Sequence, residues 1–151
     1  MAPVGAALAT PFPMTTRPAS HFLEIYLAIY RLAVVVTWET SLGDILAFAR
    51  RGKVEITRER WGKDFSEYAD DPHCNGLTML LGDDNADVLV WLRHRPKKAS
   101  EYGVLYHELF HAVQQIVKSR NLGDEIESPA FLFEYLANQC NKVLWAQSRR
   151  R

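Results

Sequence analysis

The sequence predicts an α+β domain in which a short mixed sheet with a hairpin packs on one long helix and a C-terminal helix. Three observations lead there. Leu32 to Trp38 is dense in β-branched and aromatic residues, as in a buried strand. Leu77–Leu81 and Asp87–Leu92 flank Gly82-Asp83-Asp84-Asn85, which is strong turn chemistry for a hairpin. Residues 101–120 carry apolar side chains at helical spacing.

Taken in order, residues 1–20 are rich in Ala, Pro and Thr and form an N-terminal arm. They lack a basic start, and Pro11 and Pro13 interrupt any apolar core of a secretory signal. Residues 23–38 predict a buried strand, or two strands joined near Tyr30-Arg31. Thr40 or Ser41 then caps a short helix with Leu42, Ile45, Leu46 and Phe48 on its apolar side, ending at Gly52. Residues 53–73 are polar with isolated aromatics and predict only a connection, with a short strand at Val54–Ile56. After the hairpin, Pro96 ends the second strand and Ser100 is the expected N-cap of the long helix. Lys118 and Arg120 suit its last turn, and Gly123 lies just past its end. A final helix is expected from about Ser128-Pro129 to Trp145.

A chain of 151 residues makes one domain with a sizeable core, here 21–148, followed by a basic tail at 149–151. Its 18 basic and 18 acidic residues balance, which gives no footprint for nucleic acid or an acidic membrane surface. No apolar run is long enough to span a bilayer. Cys74 and Cys140 are too few for a disulfide scaffold and are expected to be free thiols in a reducing compartment.

The chemistry concentrates in Tyr106-His107-Glu108-Leu109-Phe110-His111-Ala112-Val113. Residues i and i+4 share one helix face, so His107 and His111 can turn their rings on one ion. Zn²⁺ accepts such imidazoles in a tetrahedral site. Glu108 projects about 100° round the helix, where it reaches water at the ion without ligating it, as a general base does. On a helical wheel Leu105, Leu109, Ala112, Val113, Ile116 and Val117 form one apolar arc. The two histidines lie on the other side beside Gln114, so they are not core residues. A peptidase site needs a third protein ligand. Gln114 and Val117 stand where a third His-x-x-Gly-x-x-His spacing would require Gly and His, which excludes that class. Glu125, Glu127 and Glu134 are left as candidates.

With these residues in view, the arrangement resembles the small zincin-type metallopeptidase-like proteins of tailed phages and prophages. The likeness rests on the hairpin, the His-Glu-x-x-His-Ala-Val helix, the Gly-containing loop and a Glu leading an aromatic-rich helix, over about residues 75–145. It implies a zincin-like fold and a gluzincin-like ligand set of His107, His111 and Glu127, with Zn²⁺ as cofactor. Ser128-Pro129 after Glu127 departs from the family pattern and would place Glu127 just before the helix. Glu134 is then the carboxylate that orients a ligand imidazole, or an ordinary solvated one. The implied activity is hydrolysis of a peptide or protein substrate, with Glu108 as base. Tyr102, Tyr106, Tyr135 and His94 are candidate donors to the developing oxyanion. The segment Val88 to Leu92 is the expected strand for aligning an extended substrate, equally readable as a plain core strand. The resemblance places the protein in the host cytoplasm or the virion, without nucleic acid or membrane as partner. It also carries an alternative: a structural or assembly component of a phage particle that keeps the fold without catalysis and contacts other phage proteins through residues 1–20.

Overall fold

The computed structural model describes residues 21–52, 61–82, 87–122 and 127–149, the side chain of Glu127 excepted. The expected arm, the strand proposed at Val54–Ile56, the hairpin turn beyond Gly82 and the end of the basic tail lie outside these residues. The elements run β1 (Phe22–Leu27), β2 (Leu32–Trp38), α1 (Leu42–Arg51), α2 (Trp61–Ala69), β3 (Gly76–Leu81), β4 (Asp87–Leu92), α3 (Ala99–Ser119) and α4 (Glu127–Ser148). The four strands form one mixed sheet in the order β1-β2-β4-β3. β1 pairs antiparallel with β2, β2 parallel with β4, and β4 antiparallel with β3.

The apolar run at 23–38 is therefore two strands, with Arg31 at the bend in the left-handed region at φ 53°. Every residue of β2 is buried, which is why its sequence shows no polar alternation: it lies inside the sheet and is covered on both faces. The period-2 alternation of strand side chains divides the core in two. Val34 and Val36 of β2 and Val88, Val90 and Leu92 of β4 face α3 and α4. Ala33, Val35, Leu89 and Trp91 face the opposite way, onto Ile45 of α1 and Trp61 and Phe65 of α2. Helix α2 was not expected. Its segment is short and polar overall, and it is secured by packing of Trp61 and Phe65 and by the Trp61 indole N–H donating to the Leu80 carbonyl at 2.9 Å.

Caps set the helix ends. Ser41 is the N-cap of α1: its hydroxyl accepts from the Asp44 N–H at 3.2 Å, and the Ser41 N–H donates to the Asp44 carboxylate at 2.9 Å. Those Ser41 hydrogen bonds hold the Asp44 carboxyl below the usual range. Helix α3 begins two residues earlier than Ser100 predicts. Lys98 is the cap, because Glu101 reaches back to accept from the Lys97 and Lys98 N–H groups at 2.8 and 3.2 Å. It ends at Ser119, with Asn121 in the left-handed region at φ 53° and the Leu122 N–H donating to the Val117 carbonyl at 3.0 Å. Helix α4 starts at Glu127, so Glu127 is its first residue and Pro129 falls in the first turn, which tolerates a missing N–H. α4 packs on α3 antiparallel: Tyr102 lies against Trp145, and the Tyr106 hydroxyl donates to Asn141 Oδ1 at 2.9 Å.

Cys74 and Cys140 are free thiols, and burial in the α3–α4 core pushes Cys140 up to about 12. No helix among the described residues is long and apolar enough to cross a membrane. Leu109 is 0% exposed beneath the histidine face of α3. Leu109→Ala should cost about 2–5 kcal/mol of stability through lost burial and a residual cavity, measured by urea unfolding.

Candidate metal centre

The sequence of α3 divides the helix into three faces. Leu105, Leu109, Ala112, Val113 and Ile116 are buried against the sheet and α4. Glu108 is also buried, 7% exposed, on the side turned to β3. His107 and His111 face solvent, as the helical wheel predicts.

The two rings meet. Their Nε2 atoms are 3.0 Å apart, and the ring planes stand at 89° with centroids 4.6 Å apart. Two nitrogens on a tetrahedral zinc with bonds of about 2.0–2.1 Å lie about 3.3 Å apart. The pair thus needs only a small opening to share one ion. Gln114, one turn on from His111, places Oε1 at 3.1 Å from His111 Nδ1. The amide oxygen can only accept, so this contact suits the tautomer with hydrogen on Nδ1 and a lone pair on Nε2. An imidazole that ligates a metal through Nε2 has that tautomer. In that arrangement His107 Nε2 would be the donor across the 3.0 Å contact, and a cation between the rings would require both Nε2 atoms free of hydrogen.

Glu108 does not join the histidines as a ligand. Its Oε2 accepts from Thr78 Oγ1 of β3 at 2.7 Å, and Thr78 Oγ1 also lies 2.9 Å from the Glu108 carbonyl oxygen. Nearby, Cys74 packs at the start of β3, its thiol donating to the Gly76 carbonyl at 3.1 Å. Burial pushes the Cys74 thiol up, and the Glu108 carboxylate adds to the effect.

The other predicted site residues are dispersed. Glu134 is exposed on α4, and among the described residues no group of three His, Cys, Asp or Glu side chains is placed to hold a metal. Glu125 and the Glu127 side chain lie outside those residues. The Tyr106 hydroxyl is taken by Asn141, which assigns it to the α3–α4 contact rather than to an oxyanion. Tyr102 packs beside it against Tyr106 and Trp145. Tyr135 is 46% exposed and lines a groove with Phe131 and the β1–β2 turn. His94 is exposed and lines a cleft with Asn75, Lys98, Ser100, Glu101 and Val104. The strand expected to align substrate also changes. Val88 to Leu92 is β4, hydrogen-bonded on both sides, so it has no edge to offer. The edge strand beside α3 is β3.

Thr78 is the contact that sequence reasoning left out, while Gln114 was placed beside the histidines without a role. Gln114 stands at i+3 from His111, a spacing that could have flagged it. Thr78 is thirty residues from Glu108 and carried no such mark. Comparison with family models, curated proteins and solved structures gives no match.

The imidazole pair fits one half of a zinc site, and Gln114 supplies its outer support. Gln114→Ala should lower zinc affinity by about tenfold, at the weak end of such effects because the contact is exposed. Competition against a chromophoric chelator measures this, with His111→Ala as the reference for loss of the site. Equal affinities for Gln114→Ala and the parent would remove the orienting role.

Proposed function

We propose that the protein is a zinc-dependent metallopeptidase-like hydrolase with a zincin-like fold, in which His107 and His111 hold the ion and Glu108 is the general base. The observation that carries this reading is the convergence of the two Nε2 atoms at 3.0 Å, with Gln114 Oε1 3.1 Å from His111 Nδ1. Glu127 is the proposed third ligand. It opens α4, the helix packed antiparallel on α3, while Glu134 lies two turns further along.

When bound, zinc would supply Lewis acidity and acidify water. The rest falls to the chain. Among the described residues β3 is the edge strand beside α3, and it would align an extended peptide there through the outward backbone groups of Thr78, since the Gly76 and Leu80 carbonyls already accept from Cys74 and Trp61. Glu108 takes a proton from the attacking water as its oxygen bonds to the amide carbon. It then passes that proton to the departing nitrogen as the C–N bond breaks, leaving a carboxylic acid and an amine. Glu108 is suited to this because Oε2 is pinned by Thr78, whereas Oε1 has no hydrogen bond among the described residues.

One observation favours a second reading. A carboxylate only 7% exposed and tied to a neighbouring strand also serves as a structural tether. On that view the chain is a structural or assembly component whose fold is kept without catalysis.

Glu108→Gln separates the two. The amide oxygen can still accept from Thr78 but cannot take a proton, so folding and zinc content should be unchanged. Cleavage of a quenched-fluorescent peptide library should fall by about 10²–10⁴-fold. Hydrolysis at the parental rate would rule out Glu108 as the base, whereas a folded, zinc-loaded parent that cleaves nothing would leave the structural reading.

A further inference from the structure

The geometry points to Thr78, seated beside Gly76 on β3, as the positioning residue that holds Glu108 in place for proton transfer. This rests on the hydrolase reading above. A base on a helix surface samples several rotamers, and those that misplace its oxygen by an ångström cost about 10²-fold in rate. Here two features of one strand restrict it. Gly76 and Thr78 are two residues apart, so they share the β3 face that meets α3, while Leu77 and Met79 point to the other layer.

Gly76 makes the room. A Cβ at that position would stand 2.7 Å from Glu108 Cγ, 3.0 Å from Glu108 Oε1 and 2.9 Å from Val104 Cγ1. No side chain fits there unless Glu108 moves. Thr78 supplies the peg. Its hydroxyl has one hydrogen and two acceptors in reach, Oε2 at 2.7 Å and the Glu108 carbonyl at 2.9 Å. The charged oxygen is the stronger acceptor, and either choice ties β3 to the same residue. Because β3 is also the edge strand beside α3 among the described residues, the strand that would pair with an extended peptide also seats the base. The amide and the proton acceptor are thereby referenced to one backbone.

The test uses the full zinc-loaded chain and the peptide cleaved fastest in a quenched-fluorescent library. Thr78→Val removes the hydroxyl at nearly constant volume. It should keep zinc content and melting behaviour near the parent's and leave KM within about twofold, while kcat falls about 10- to 100-fold. Thr78→Ser restores the hydroxyl and should recover kcat to within about threefold. Gly76→Ala keeps the hydroxyl but displaces Glu108, and should lose kcat in the same way. A tether that only stabilises the fold would shift the melting temperature and spare kcat. Parental kcat in folded, zinc-loaded Thr78→Val overturns the assignment and leaves the hydrolase reading intact. Should Thr78→Val not fold, parental kcat in Gly76→Ala overturns it equally. If the parent shows no Glu108-dependent cleavage, the underlying reading fails first and takes the assignment with it.

Discussion

The structure depends on a conflict of demands along α3. The helix must bury Leu105, Leu109, Ala112, Val113 and Ile116 to close the core, yet present His107 and His111, interleaved one or two residues from them, to solvent. A period of 3.6 residues resolves this, because a step of four stays on one face and a step of one or two leaves it. Burial of the apolar arc against the sheet and α4 fixes the rotation of the helix about its axis. Once that rotation is set, the imidazoles have one direction to point, and Glu108 has only the seam with β3.

That seam explains why the sheet order matters more than the strand count. With β2 and β4 parallel at the centre, both faces must be covered, and α1 with α2 closes the side away from the histidines. β3 is left at the edge beside α3, where Gly76 permits close approach and Thr78 provides a hydroxyl. A side chain at position 76 or an apolar residue at 78 would suit the strand equally well by propensity. Their identities therefore make most sense as accommodation of a carboxylate. Arg93 supports the entry to this strand by donating to the Cys74, Ala69 and Asp71 carbonyls at 2.7–2.8 Å while its guanidinium lies over Trp91.

Much of this was legible in the residues and some was not, for physical reasons. The buried β2 run, the β3–β4 hairpin strands, Ser41 as a cap and the histidine face of α3 each follow from local periodicity or local hydrogen bonding. Helix α2 did not, because it owes its place to Trp61 and Phe65 packing on a sheet that sequence alone does not assemble. The start of α3 shifted for a related reason: Glu101 satisfies the N–H groups of Lys97 and Lys98, outcompeting a serine cap. Strand order is non-local too, so Val88–Leu92 reads equally as a substrate-aligning strand or a core strand until the sheet places β4 inside. Of the site, the imidazole pair and the placement of Glu108 apart from it were visible as spacing. The contacts that orient them came from Gln114 and Thr78, and Tyr106 proved to belong to the α3–α4 contact through Asn141.

The central claim is that two α3 imidazoles share one ion. X-ray absorption at the zinc edge of the loaded protein tests it most directly. The account predicts a first shell of nitrogen and oxygen at about 2.0–2.2 Å, with the multiple-scattering signature of two imidazoles that drops to one in His111→Ala. A shell without imidazole, or one unchanged by that substitution, would contradict it.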